Sequence, residues 1–289
     1  MQIRPRRSVL YMPGSNQRAL EKAKTLGADA LVLDLEDAVA PDQKPQAREL
    51  IAAAVNGGGY GRREIIIRIN ALATQWGAED LKMAARTLAD GVCLPKVESA
   101  EQVLAAAKAL DTYGAPTQMA LWAMIETPLG VLNAREIASA HPRMKVFVMG
   151  TSDLAKDLRV PHTPDRLGFL TSLGMSVLAA RAHGLDILDG VHLDLSGGEA
   201  FRAICEQGRT LGFDGKTLIH PNQIAVANEV FGPSHEAIEH ARRVIVAWEE
   251  AEQAGAGVAV LDGKLVENLH AAEAQRVLAI ADAVTALGA

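Results

Sequence analysis

LWAMIETPLGVLNAREIASAHPRMKVFVMGTSD, running from Leu121 to Asp153, is the stretch whose reading decides the fold. Its two ends, LWAMI and KVFVM, read as short apolar strands that switch abruptly to small and polar residues, and the segment between them reads as helical. Strand, crossover helix and strand make a parallel unit that leaves Glu126 and Asp153 at neighbouring strand ends. Two such carboxylates suit a hard divalent cation, which takes oxygen ligands and keeps positions open for water and substrate. A glutamate after a strand also reads as a first-turn helix acid or a solvated loop residue, and spacing alone leaves both readings standing.

Outward from this unit the same alternation continues. Apolar or β-branched runs fall at 8–12, 30–35, 64–69, 92–94, 119–125, 145–149, 186–191 and 216–219. Helical periodicity fills the gaps at 17–26, 44–55, 78–88, 100–110, 129–141, 164–182 and 197–211. Strands that are apolar on both faces and alternate with helices through eight units predict a closed α/β barrel of the TIM (β/α)8 type, with a doubly wound sheet as the alternative if the weak fourth and seventh runs fail. The barrel is expected over 1–232. Beyond it, 233–289 reads as a C-terminal helix-hairpin-helix extension: a helix over 234–254, a glycine hinge, the hairpin VAVLDGKLVE turning at Asp262-Gly263, and a helix over 269–286. Such a piece is expected to act as a lid over its own site, as an arm reaching a neighbouring subunit, or as a surface appendage that packs the last helix.

The chain's 289 residues suffice for a single barrel, and 49% hydrophobic with 22% charged residues places it among soluble globular proteins. No run is long enough for a membrane span, and the apolar run after MQIRPRR is too short for a secretory signal, so a cytoplasmic protein without membrane contact is expected. A net charge of −6 and 4% aromatic residues argue against a nucleic-acid partner. Cys93 and Cys205 lie far apart with no metal-ligand spacing around them and read as buried thiols.

In a closed barrel the active face is formed by the strand carboxyl ends. The first strand ends in Tyr11 and opens a helix bearing Arg18 and Lys22 on one face, suited to a phosphate-bearing ligand or to plain solvation. The second ends in Asp34, Glu36 and Asp37, and the third in Arg68 and Asn70. An arginine beside those acids can be held by them and still present a fork to a carboxylate or a developing enolate. The fifth supplies Glu126; the sixth supplies Gly150, Thr151, Ser152 and Asp153, whose small residues let backbone N–H groups approach a ligand. His220 beside Pro221 reads more readily as a structural hydrogen-bonding group than as a catalyst. Together these groups favour enolate chemistry on a carboxylate-bearing substrate, and no Ser-His-Asp, Cys-His or Schiff-base lysine arrangement stands out.

Read in order, RSVLYMPGSNQRALEKA, LVLDLEDAV, IIIRINAL, CLPKVES, MIETPLG, MGTSDLAKDL, GKTLIHPNQI and LDGKLVE resemble the citrate lyase beta-subunit-like (HpcH/HpaI aldolase/citrate lyase) family of CoA-ester lyases over almost the whole chain. The resemblance implies a Mg²⁺-dependent TIM barrel, a homotrimer or hexamer, that cleaves or forms a β-hydroxyacyl-CoA such as malyl-CoA or citramalyl-CoA, with acetyl-CoA or propionyl-CoA and an α-keto acid as the other partners. It implies Glu126 and Asp153 as metal ligands and Arg68 as the group that binds and polarises the substrate. Thr151 and Ser152 would meet the substrate carboxylate, with Glu36 and Asp37 beside them. Tyr11, Arg18, Lys22 and His220 would hold the CoA end. The family's catalytic aspartate, in the hairpin just beyond the GK dipeptide and often supplied by the next subunit, corresponds to Glu267 here, with Asp262 as a second acid at the turn. That departure brings malyl-CoA thioesterase activity forward as the alternative to carbon–carbon lysis. Further alternatives are a beta-like subunit needing an acyl-carrier partner and an aldolase acting on a free hydroxy-keto acid.

Overall fold

The computed structural model describes residues 4–195 and 198–288. Eight strands, β1 (Ser8–Pro13), β2 (Ala30–Asp34), β3 (Glu64–Arg68), β4 (Gly91–Leu94), β5 (Ala120–Ile125), β6 (Met144–Met149), β7 (Asp186–Asp189) and β8 (Gly215–Leu218), pair in parallel in sequence order, and β8 closes on β1. The doubly wound alternative is thereby excluded: the fourth and seventh runs form short strands that are each paired on both sides. Alternation along each strand builds two apolar layers. Val9, Val32, Ile66, Trp122, Met124, Val148 and Leu188 fill the barrel interior, and the intervening residues, such as Leu10, Leu31, Ile67 and Phe147, pack under the helices. Cys93 lies in the inner layer and Cys205 in the outer, both buried and free.

Several helices differ from the periodicity that announced them. The expected helix over 129–141 is two short ones, Pro128–Leu132 and Ala134–Ser139, meeting at Asn133. The expected 164–182 begins as a 3-10 turn, Leu167–Phe169, before the α-helix Leu170–Ala182. The expected start of the next helix at Gly197 lies outside the described residues, as do 1–3 and 289 at the ends of the chain; the helix is described over Glu199–Leu211. Thr151–Leu158 is also helical, so Asp153 sits in a helix first turn and not at the end of β6 itself. No described helix is long and apolar enough to cross a membrane.

Past the barrel, Ser234 caps the helix His235–Gln253 by accepting the Ala237 N–H. The strands β9 (Ala259–Leu261) and β10 (Lys264–Val266) form a hairpin whose turn residues Asp262 and Gly263 are both left-handed, φ +51° and +74°, as a two-residue hairpin turn requires. The helix Asn268–Leu287 closes this unit around a small core of Ala241, Val244, Ala259, Val266 and Ala274. A cavity of about 750 Å³ separates Glu273, Arg276 and Val277 of that last helix from Arg6, Glu64 and Asp186, which lie at the amino ends of the barrel strands. The extension therefore faces the end of the barrel opposite its carboxyl-end loops, and the expectation of a lid over its own site is corrected.

One buried ion cluster ties β7 and β8 to the helical layer. Asp189, fully buried, accepts from Lys216 Nζ at 2.8 Å and from Arg166 Nη1 at 2.7 Å. Burial pushes the Asp189 carboxyl up, but the two cations outweigh burial and hold it below its ordinary value. Its stabilising effect is therefore present above the unfolded aspartate pKa and is lost as pH falls through the lower native value. Asp189→Asn, which strands two buried cations, is expected to cost about 3–5 kcal/mol. Urea denaturation at neutral pH measures that loss, and a series below pH 4 should show a shallower acid limb in the variant than in the wild type.

Candidate active site

The mouth formed by the strand carboxyl ends is built on register. Asp34 and Arg68 stand opposite each other as the last residues of β2 and β3. Arg68 donates through Nε to Asp34 Oδ1 at 2.7 Å and through Nη2 to Oδ2 at 2.6 Å, a fork on a carboxylate. Asp34 in turn accepts the backbone N–H groups of Glu36 and Ala38, which curls the following loop back over the strand end. Lys44 pins that loop from outside by donating to the Leu35 and Glu36 carbonyls. The Arg68 guanidinium also lies 4.9 Å over the Tyr11 ring. Burial would lower the arginine's pKa, but the Asp34 hydrogen bonds and the surrounding negative charge hold it well above its ordinary value.

The remaining Arg68 nitrogen, Nη1, is the loosely held one. It lies 2.9 Å from Glu36 Oε2 and 3.4 Å from Asp37, whose side chain is 65% exposed. The Glu36 contact lacks hydrogen-bond alignment, so that buried oxygen keeps its lone pairs unshared.

Glu126 follows β5 directly because Thr127 caps the next helix, accepting the Gly130 N–H, with Pro128 in its first turn. Its Oε1 accepts the Lys96 N–H at 2.6 Å, and its other oxygen packs on Gly150, where an added Cβ would lie 2.4 Å from both Oε2 and Cβ of Glu126. Burial, then the charges of Glu36 and Asp153, push the Glu126 carboxyl up to about 7, against the Lys96 hydrogen bond. Glu36 is likewise raised by burial, in spite of Arg68. Asp153, a third exposed, shares the Lys96 ammonium with Glu36: Nζ is 3.6 Å from Asp153 Oδ2 and 3.4 Å from Glu36 Oε1.

Among the described residues no three His, Cys, Asp or Glu side chains converge as a metal-holding group. The donor chemistry nevertheless fits a hard cation held by two carboxylates and otherwise open: a glutamate whose carboxyl is pushed up by burial and then by its acidic neighbours, a buried carboxylate oxygen without a hydrogen bond, and one ammonium shared across the group. In this chain Glu126 and Asp153 would hold the ion.

The other expected residues divide. Thr151 is buried, its Oγ1 2.5 Å from where a Cβ on Gly190 would stand, while Ser152 is exposed. Tyr11 is turned into the barrel beneath Arg68, its hydroxyl 3.9 Å from Met124 Sδ, and burial raises its pKa well above normal. Arg18 and Lys22 are exposed on the helix Gln17–Ala23. His220 Nδ1 accepts the Asn222 N–H and so caps the turn after β8. Asp262 and Glu267 are not brought to this mouth. Asp262 is held by a bidentate pair with Arg243, and Glu267 caps the last helix on the far side of the barrel. Lys96, in the CLPKVES motif, is the group that sequence reasoning passed over. A single lysine after a short strand looks like any solvated loop residue, and nothing in the motif states that its backbone is left-handed, at φ +50°.

The family model for HpcH/HpaI aldolase/citrate lyase matches residues 7–221. A (3S)-malyl-CoA thioesterase from Cereibacter sphaeroides is 54% identical over 288 residues, 100% of this chain and 99% of the relative. A citrate lyase subunit beta from Leuconostoc mesenteroides is 37% identical over 287 residues, 97% and 94% of the two chains. Among solved structures, CitE from Mycobacterium tuberculosis in complex with magnesium, acetoacetate and coenzyme A superposes with a TM-score of 0.77 at 31% identity, covering 98% of this chain and 100% of that one.

Gly150→Ala is expected to dislodge Glu126, because the contact is with its Cβ and rotation about χ cannot relieve it. The cost should be about 1–3 kcal/mol by thermal or urea denaturation. Gly174→Ala, whose Cβ would meet nothing, serves as the tolerated control.

Proposed function

The chain belongs to the HpcH/HpaI aldolase/citrate lyase family, and from that premise we propose that it is a Mg²⁺-dependent hydrolase of a malyl-CoA-type thioester. The observation that carries this reading is the 54% identity, end to end, with a malyl-CoA thioesterase, against 37% with a citrate lyase beta subunit. In the reaction, water adds to the thioester carbonyl, the C–S bond breaks and the thiolate leaves with a proton, giving malate and CoA.

Mg²⁺ on Glu126 and Asp153 would supply positive charge to polarise substrate oxygens. Arg68, fixed on Asp34, keeps Nη1 for the substrate; a carboxylate oxygen would replace Asp37, the most exposed of its partners. Backbone at Thr151 and Ser152 and the turned-back loop at Glu36 and Asp37 would border the acyl group, and Arg18 and Lys22, exposed just beyond β1, would meet the phosphates of CoA. Tyr11 supports Arg68 from below, and His220 would act at most at the margin of the CoA site.

Of the two hairpin acids we assign proton transfer to Glu267, which stands at the position that the resemblance gives to the family's hairpin acid; Asp262 pairs with Arg243 at the turn. We infer that Glu267 acts on another copy's mouth, in a homotrimer or hexamer in which 1–232 carries the metal and 233–289 serves as the arm; the packing of the last helix across from the amino ends of the strands supports this reading. The carbon–carbon lyase reading keeps the same residues, with Glu267 moving a proton at the acetyl carbon, and the family's lyase members support it. We place the enzyme in the cytoplasm, acting without nucleic-acid or membrane partners.

Incubation with (3S)-malyl-CoA should release free thiol and malate, with no glyoxylate, and chelation of Mg²⁺ should abolish turnover. Stoichiometric glyoxylate and acetyl-CoA would establish the lyase instead, and turnover only on an acyl-carrier thioester would make the chain a lyase subunit. Arg68→Lys is expected to lower kcat/KM by about 10²-fold. Mixing Glu126→Gln with Glu267→Gln, each inactive alone, should restore part of the activity if sites are shared between copies; an inert mixture would return Glu267 to a purely structural role.

A further inference from the structure

Lys96 has two functions in the site, and they pull on different atoms. Its backbone takes the left-handed conformation that non-glycine residues rarely adopt, and thereby aims its N–H at Glu126 Oε1, 2.6 Å away. Its side chain, 45% exposed, crosses the mouth and leaves Nζ 3.4 Å from Glu36 Oε1 and 3.6 Å from Asp153 Oδ2. Both separations exceed the roughly 2.8 Å of a close ammonium–carboxylate hydrogen bond. The ammonium thus lies between the two acids and is bound tightly to neither. It sits on a flexible four-carbon stem, as a compact charge that can be withdrawn without moving the backbone.

We propose that Lys96 is the resident counter-ion of this site, holding the place of the divalent cation, so that metal loads by exchange: Nζ leaves Asp153 and Glu36 for the open mouth while the N–H of the same residue stays on Glu126. The inference rests on the reading of Glu126 and Asp153 as Mg²⁺ ligands. It explains why one residue carries both an uncommon backbone conformation and a long, half-exposed side chain aimed at the same group of acids. Before loading, the ammonium keeps the carboxylates from repelling one another apart. After loading, it adds positive charge at the opening through which an anionic acyl-CoA arrives. Metal affinity is then a difference between two cations competing for one group of acids.

Isothermal titration of Mg²⁺ into the full-length wild type, Lys96→Met and Lys96→Arg, without substrate, tests the exchange, with thermal melts of each protein in the presence and absence of Mg²⁺. Removing the competing charge in Lys96→Met should tighten the Mg²⁺ Kd by roughly tenfold. The same variant should melt lower than the wild type without metal and gain more on Mg²⁺ addition. Lys96→Arg, which keeps the charge, should stay within about threefold of the wild-type Kd. The metal-free melts report whether each variant is folded, and Lys96→Gln repeats the comparison with a polar side chain. Unchanged or weaker Mg²⁺ binding in folded Lys96→Met and Lys96→Gln overturns the exchange and leaves the metal reading standing. A wild type that binds no Mg²⁺ overturns both.

Discussion

The fork of Arg68 on Asp34 is the interaction on which the candidate site depends. It joins the final residues of β2 and β3, so the ends of two strands are fixed to each other before any ligand arrives. Because Asp34 also accepts two backbone N–H groups from the following loop, the same carboxylate sets the direction of the guanidinium and the path of the chain carrying Glu36 and Asp37. A long cationic side chain has much conformational freedom to lose, and here most of it is lost during folding. What remains loosely held is the Nη1 edge, where the contacts are longer or poorly aligned.

Around this fixed cation the mouth carries more carboxylates than it can neutralise by itself. Glu126 is confined by Gly150 on one side and the Lys96 N–H on the other, so it cannot swing away from Glu36 and Asp153 to relieve their repulsion. Such an arrangement disfavours the ionised form of Glu126, a pattern that clusters at functional sites. The buried Asp189 cluster makes the contrast. There one carboxylate is shared by two cations, its pKa is lowered, and its effect is to hold the fold together.

Much of this was legible in the sequence, for identifiable reasons. The barrel follows from a periodicity that repeats eight times, and repetition compensates for the weakness of β4 and β7 taken singly. Glu126, Arg68 and Asp34 were legible because a strand end fixes where the next side chain must be. Asp153 was legible in place but not in element, since a helix beginning at Thr151 presents the same acid from its first turn. Lys96 was not legible, because its importance lies in a backbone angle. Nor was the side of the barrel on which the extension packs: Gly232 and Pro233 end one helix ahead of the next without saying which way the chain then turns. Tyr11 was visible as a strand-end aromatic, yet the alternation that turns it inward under Arg68 is a property of the closed barrel and not of the motif.

The appendage with its own small apolar centre has a broader consequence. Its helices and hairpin pack chiefly on one another, around Val244, Ala259, Val266 and Ala274, and the covalent connection to the barrel is single. Substitutions there are buffered from the barrel's stability, and substitutions in the barrel are buffered from the hairpin. The unit that carries Asp262 and Glu267 can therefore diversify on its own schedule, while the barrel and its strand-end carboxylates stay as they are.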